Sequence, residues 1–278
     1  MKTWYKYFIN PGNEKKFIPL DATFDDHKRS MEGYDSSKGY LSKEEFFENY
    51  FHRAHLRHKY YHDYLKAHLK KEDDTLSIGS GRCVNELLLM EDGFNITCSD
   101  LEQPCRRETM RLFPRLQFMN YDVTKGPASR KFDRIISLSM FYLFDNAQLS
   151  EIFKNVADSL RAEGTFILDP CGAENNLGTR LIDDFICPSE MALIKILKKI
   201  FRGEDCVVAK KHQGYRTTDA EIISIAKRAG LDLCDMEKYD YFTEFGMRSN
   251  IFGRLPKRLV GLLGRAVPYV RMFNFKKE

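Results

Sequence analysis

The chain has no CxxC pair, no internal repeat and no continuous apolar run approaching the ~20 residues of a membrane span. Each absence excludes something. Its seven cysteines (Cys83, Cys98, Cys105, Cys171, Cys187, Cys206 and Cys234) stand singly. Zinc ribbons, iron–sulfur centres and redox pairs therefore have no sequence support, and the cysteines read as reduced thiols of a cytoplasmic protein. The opening segment "MKTWYKYFINPGNEKK" has no apolar core of signal-peptide length. What is present is ordinary for a globular chain: 278 residues, 43% hydrophobic and 30% charged, enough for one large domain or two small ones. A net charge of +4 does not by itself imply nucleic acid. The charge is uneven, however: residues 254–278 carry seven basic side chains against Glu278, over a slightly acidic body.

Residues 1–44 read as an irregular lead-in. Ser42 followed three places later by Glu45 is a capping signature. The apolar positions Phe47, Tyr50, Phe51, Ala54, Tyr61, Tyr64 and Leu65 then recur at helical spacing. An alternation follows, with strands expected at "TLSIGS", "NITCSD", "LQFMNYD", "FDRIISLS" and "GTFILDP" and helical patterns between them. Such alternation predicts a parallel sheet with helices on both faces. "LDLCDMEKYDYF" and "FGMRSNIFGR" read as a final antiparallel pair, making seven strands, with "TTDAEIISIAKRAG" as the helix before them. Residues 171–215 are too long for a simple connection and read as a cap over the carboxyl ends of the strands. The expected organisation is a lead-in and helical lid over 1–70, a sheet domain over 71–250 that contains the cap, and a basic tail over 251–278.

In "TLSIGSGRCVNELLLM", Gly79 and Gly81 sit between an apolar run and an amphipathic one. A glycine turn after a first strand lets a ligand approach the backbone without meeting a Cβ. A dinucleotide fingerprint would need a third glycine where Val84 stands. Asp100 ends the second strand, where a carboxylate can accept ribose hydroxyls, and Asp122 ends the third, where one can take an adenine amino proton. Either alone reads as a loop residue or helix cap; together beside the glycine turn they converge on one crevice.

Through "LSIGSGR", "CSDLEQ", "NYDVT", "FDRIISLSMFYLF" and "LRAEGTFILDP", roughly residues 45–250 resemble the class I S-adenosylmethionine-dependent methyltransferases. The resemblance implies a Rossmann-like α/β fold with S-adenosyl-L-methionine as cofactor. It implies that Gly79, Ser80 and Gly81 face the methionine moiety, that Asp100 with Leu101 holds the ribose, that Asp122 with Val123 meets adenine, and that Ser139 lies nearby. Ser77 stands where the family carries an acid, and Cys83 where it carries a third glycine.

The Asn/Asp-Pro-Pro-aromatic motif of amino-methylating DNA and glutamine enzymes is missing after the fourth strand, as is a Pro-Cys nucleophile. A small-molecule acceptor is therefore expected, anionic or lipid-linked, with oxygen ahead of nitrogen. Asp169 and His212 are the general-base candidates, and Tyr142 could face the acceptor. His52, His55, His58 and His62 share about a third of a helix circumference. With Arg53, Arg57 and Lys59 among them, they read as a solvated basic face that could touch an anionic substrate, and no metal site is assigned. The basic amphipathic segments 191–202 and 254–277 read first as a core-facing helix and a loosely packed tail, then as peripheral membrane contacts, and last as RNA contacts. Two alternatives stand beside the methyltransferase: a catalytically silent S-adenosylmethionine-binding partner protein and a nicotinamide-dependent oxidoreductase.

Overall fold

A computed structural model describes residues 1–11, 17–18, 42–53, 57–101 and 107–278. The helix expected from Ser42 begins there, with the Ser42 hydroxyl accepting the Glu45 amide at 3.1 Å. It is seen as α1 (Lys43–Arg53) and α2 (Arg57–His68). The readings of His52 and His55 fall on side chains outside the described residues, as does that of Cys105. Next come β3 (Thr75–Ile78), α3 (Val84–Glu91), β4 (Ile96–Asp100), α4 (Arg107–Leu112) and β5 (Gln117–Asn120). β6 (Phe132–Leu138), α5 (Asn146–Ser159) and β7 (Leu160–Asp169) complete the alternation. α5 starts cleanly because Asp145 accepts the Ala147 and Gln148 amides while Gln148 reaches back to the Asp145 amide.

Among the described residues the main sheet has seven strands in the order β5-β4-β3-β6-β7-β10-β9, where β9 is Leu231–Tyr239 and β10 is Val270–Lys277. Only β10 runs antiparallel to its neighbours. The chain winds outward from β3 to β5, then returns to lay β6 on the other side of β3. The strand order thus reverses between β3 and β6, the place where open α/β sheets bind ligands. One face is sealed by α5 and α8 (Asp219–Arg228), whose Phe153, Val156, Ile222 and Ile225 pack on Phe166, Phe273 and Phe275. The other face is covered by Tyr61, Tyr64 and Leu65 of α2 against Ile136, Ile167 and Met272. Among the described residues no helix is long and apolar enough to cross a membrane. The six described cysteines are all free.

Three sequence expectations are corrected. The lead-in contains β1 (Lys2–Pro11), which pairs antiparallel with β8 (Cys206–Arg216) from Lys2↔Arg216 to Pro11↔Cys206. With β2 (Phe17–Ile18) on its other side, β8 centres a separate three-stranded sheet, so the cap joins both ends of the described chain's first 216 residues. The basic tail is not loose: β10 lies inside the main sheet between β7 and β9, and Arg271, Met272, Phe273 and Phe275 are buried. Its charge is tolerated because Arg271 reaches Asp219 at 2.8 Å and the carbonyls of Gly172 and Thr217 at 3.1 and 3.2 Å. "FGMRSNIFGR", read as a strand, is instead a series of short helical turns, Thr243–Met247 and Phe252–Arg254.

The cap helix α7 (Cys187–Arg202) is not core-facing along its length. Cys187, Glu190 and Met191 are buried, while Ile200 and Phe201 are 67% and 79% exposed. Its buried side chains lie in its first half, and most side chains of its second half are exposed.

Candidate functional site

The site is built on the turn from β3 into α3. Gly79 and Gly81 have φ of +64° and +51°, left-handed values that side chains other than glycine adopt at a cost. Their backbone brings the Gly81 amide to the Asp100 carboxylate at 3.0 Å, while the other Asp100 oxygen takes the Leu101 amide at 2.8 Å. The acid at the end of β4 is thus fixed beside the glycine turn. Ser80 binds the Ser99 carbonyl through both its amide and its hydroxyl, at 3.0 and 3.1 Å, tying the turn to the neighbouring strand. A Cβ on Gly79 would lie 2.3 Å from the Met140 sulfur, so the open side of this glycine faces the loop after β6.

Ser77, in the family's acidic position, is itself served by an acid from the helix. Its hydroxyl donates to the buried Glu86 carboxyl of α3 at 2.7 Å, and burial raises the pKa of that carboxyl. Asp122 turns toward its own loop. One oxygen accepts the Thr124 amide and hydroxyl at 3.0 and 2.6 Å, and Lys125 lies 3.4 Å from the other. Although burial acts upward, these bonds hold its pKa below the usual range. The Val123 side chain belongs to the core and its carbonyl accepts from the Asn155 side chain at 2.8 Å, whereas Leu101 is 44% exposed.

A second cluster lies at the ends of β6, β7 and β10. Ser139 and Cys171 take φ of +59° and +69°, and strained backbone of this kind gathers at functional sites. The Tyr61 hydroxyl is 2.8 Å from Ser139 Oγ and also donates to the buried Asp169 carboxylate. The other Asp169 oxygen takes the Arg271 amide at 3.1 Å. Burial raises the Asp169 carboxyl, opposed by the Tyr61 hydrogen bond. Asp169 is therefore a buried anchor, reaching the crevice only through hydroxyls.

Tyr142, on the short turn Phe141–Leu143, rests its ring against Gly214 of β8 and 6.1 Å from Trp4 of β1. Burial pushes its phenol further above its ordinary range. Its hydroxyl makes no hydrogen bond among the described residues. His212 lies on β8, with Nε2 3.0 Å from the Gly214 carbonyl and its ring beside Tyr5 and Tyr215. Asp169, Ser139 and Tyr142 thus share one end of the sheet, and His212 stands on the cap sheet two residues from Tyr142's contact.

The sequence reading missed Arg57, Tyr61, Cys171 and Tyr269. Arg57 was placed on a solvated face, but its Nε is buried and its Nη1 lies 3.9 Å from Cys171 Sγ. Its spacing of four from Tyr61 was the available sign. The solvated-face reading also fails for His58 and His62, which contact Asn85 and Asp92 at 3.0 Å and dock α2 on α3. A groove of about 610 Å³ between α1, α3 and the starts of β4 and β5 lies away from the carboxyl ends and from all these residues.

A buried double ion pair ties the insert after β7 and the end of β8 to the segment after β9. Arg216 contacts Asp183 at 3.0 Å and Glu244 at 2.5 Å, and Arg248 contacts the same two acids. Trp4 lies 4.4 Å from the Arg216 guanidinium. Burial acts to raise the pKa of Glu244, but Arg216 and Arg248 hold it down to about 2.

No family model matches the chain, and no curated protein does. Solved structures match its fold. The magnesium protoporphyrin IX methyltransferase of Synechocystis PCC 6803, with bound S-adenosylhomocysteine, superposes at a TM-score of 0.54 and 14% identity, over 92% of this chain and 96% of that one. The cyclopropane synthase MmaA2 of Mycobacterium tuberculosis gives 0.53 and 15%, over 79% and 84%. The N-methyltransferase NodS of Bradyrhizobium japonicum WM9 gives 0.50 and 13%, over 92% and 99%. At these identities the likeness establishes the fold: the Rossmann-like fold of S-adenosylmethionine-dependent methyltransferases.

Proposed function

We propose that the chain is an S-adenosylmethionine-dependent methyltransferase acting on a small molecule in the cytoplasm. The observation that carries this reading is the hydrogen bond from the Gly81 amide to Asp100, at the strand-order reversal of a sheet with this fold. A left-handed glycine turn beside a fixed carboxylate is a seat for a ribose next to a close-approaching chain. The residues that would hold the cofactor are Gly79, Ser80, Gly81, Asp100 and Leu101, with the backbone about Asp122 and Val123 toward adenine and Ser139 nearby. When bound, S-adenosyl-L-methionine supplies an activated methyl group.

The protein's share of the work is positioning and exclusion of water. Tyr142, kept neutral by burial, offers a hydroxyl that orients an acceptor oxygen or nitrogen. Asp169 holds Tyr61 and Ser139 in place rather than meeting the acceptor directly. His212 acts through the cap strand, fixing the Gly214 backbone on which Tyr142 rests. The cap and the α2 lid together close the crevice over the sheet.

The exposed apolar residues of α7, with Lys195, Lys199 and Arg202 on the same half, support a peripheral contact with an anionic membrane surface. Such a contact would suit a lipid-linked acceptor.

Calorimetric titration of the full chain with S-adenosylmethionine, S-adenosylhomocysteine and NADH, repeated with Asp100→Ala, tests the reading. Micromolar binding of the adenosyl ligands that falls at least tenfold in the variant is expected. Binding of NADH alone would point to an oxidoreductase. Adenosyl binding with no turnover across an acceptor screen would point to a silent partner protein.

A further inference from the structure

Four arginines with buried guanidinium atoms gather around the cap and the ends of β7 and β10, and three are matched. Arg216 and Arg248 share Asp183 and Glu244, and Arg271 has Asp219 and two carbonyls. Arg57 is the fourth, and no carboxylate among the described residues pairs with it. Its one hydrogen-bond partner is the Cys171 sulfur at 3.9 Å, and its Nε is buried without a partner. Its guanidinium carbon lies 6.0 Å from the Tyr61 ring centre and 5.8 Å from that of Tyr269. Asp169, which raises the Arg57 pKa at a distance, has its oxygens engaged by Tyr61 and the Arg271 amide. The Cys171 thiol is pushed up by burial and stays uncharged near neutrality. A guanidinium offers five donors in a planar fork, and leaving them unmatched away from water is costly. Nearby stands Tyr142, whose hydroxyl makes no hydrogen bond among the described residues: its ring is 6.1 Å from that of Trp4, and Gly172, next to Cys171, lies against the same Trp4 ring.

We propose that Arg57 and Tyr142 seat a carboxylate carried by the methyl acceptor, whose apolar body lies against the tyrosine rings. This rests on the methyltransferase reading above. A carboxylate fits better than a phosphate because one guanidinium and one neutral phenol balance a single negative charge, and Asp169 behind them disfavours a second. The acceptor, rather than the cofactor's own carboxylate, is its source because of where Arg57 sits. Cys171 follows β7 and Tyr269 precedes β10, two and three strands along the sheet from β3. At ~4.8 Å per strand, the strand ends that flank Arg57 lie about 10–14 Å along the sheet from β3. The matching sequence feature is small: an arginine and a tyrosine four apart on α2.

Titration of the full chain with benzoate and its neutral isostere benzamide, with and without saturating S-adenosylhomocysteine, tests the seat. Wild type should bind benzoate at least tenfold more tightly than benzamide. Arg57→Gln should erase that preference while changing S-adenosylhomocysteine affinity less than twofold. Tyr142→Phe should weaken benzoate several-fold, and Arg57→Lys, which keeps the charge and guards against a folding defect, should retain part of the preference. Equal binding of benzoate and benzamide to wild type, or a preference that survives Arg57→Gln, would overturn the proposal. So would tighter binding of inorganic phosphate than of benzoate. A tenfold loss of S-adenosylhomocysteine affinity in Arg57→Gln, with 5′-methylthioadenosine unaffected, would assign the seat to the cofactor and overturn it too. Arg57-dependent benzoate binding in a chain that ignores S-adenosylhomocysteine would support the seat and remove the methyltransferase reading instead.

Discussion

The Tyr61 hydroxyl lies 2.8 Å from Ser139 Oγ and at the same time donates to Asp169, so one residue of α2 holds the ends of β6 and β7 together. Asp169 is completely buried, and its other hydroxyl neighbour, Ser139, is 3.4 Å away. Tyr61→Phe is expected to destabilise the chain by about 1–3 kcal/mol, because it strips the main donor from a buried carboxylate. Ser139→Ala should cost clearly less, since Tyr61 still serves Asp169. Urea unfolding of both variants decides this, and equal losses would contradict the arrangement.

Gly79 tests the glycine turn. Alanine there would meet both the left-handed φ of +64° and the Met140 sulfur 2.3 Å from its Cβ. Gly79→Ala should lose about 1–3 kcal/mol in denaturant unfolding. The double variant Gly79→Ala/Met140→Ala should recover the steric part relative to the sum of the singles and leave the backbone part. Strict additivity would mean that Met140 simply moves aside.

The cap's ion pairs give a pH signature. The Glu244 carboxyl is held at about 2 in the folded chain, against an ordinary 4.5. Because the folded value is depressed, its stabilisation is complete above pH 4.5 and is lost as pH falls toward 2. A shift of this size corresponds to about 3 kcal/mol. Glu244→Gln should therefore be less stable than wild type at pH 7, with the gap narrowing as the pH drops through that window. Unfolding free energies measured at pH 7, 5, 4 and 3 would show it; a gap independent of pH would refute the assignment.

The exposed second half of α7 predicts sedimentation with vesicles containing phosphatidylglycerol but not with vesicles of phosphatidylcholine alone. Binding should fall as salt rises. Ile200→Ser/Phe201→Ser should abolish it without altering the circular dichroism spectrum. Equal binding to both lipids, or to neither, would leave the exposed helix with some other role.

The readable parts of this protein were those written in local pattern. Strands β3 to β7 and the helices between them follow from period and punctuation, and Asp100 follows from lying one strand after the glycine turn. β1 and β10 were hidden because their partners are distant in sequence and their composition is misleading. "KTWYKYFINP" alternates charges and aromatics beside a strand some 200 positions on. "VRMFNFKK" looked like a solvated tail because nothing in its own sequence reveals that Asp219 and two carbonyls receive Arg271. Arg57 was misjudged for a related reason: amid histidines and lysines its charge suggests water, and only the fold shows which way it points. Asp122 was legible as a strand-end acid, but Thr124 two residues later competes for its carboxylate.

The position of β10 also sets a timetable for synthesis. A ribosome makes β9 before residues 240–269 and β10 after them, yet among the described residues β9 has no neighbour in the sheet other than β10. Until Val270 and the residues after it emerge, β7 presents an open apolar edge and β9 has nothing to pair with. Unpaired edges of this kind invite wrong association. A nascent chain arrested before Val270 should be cut by protease at β9 while the β3–β7 half resists, so the sheet is completed only by a strand made after both of its neighbours.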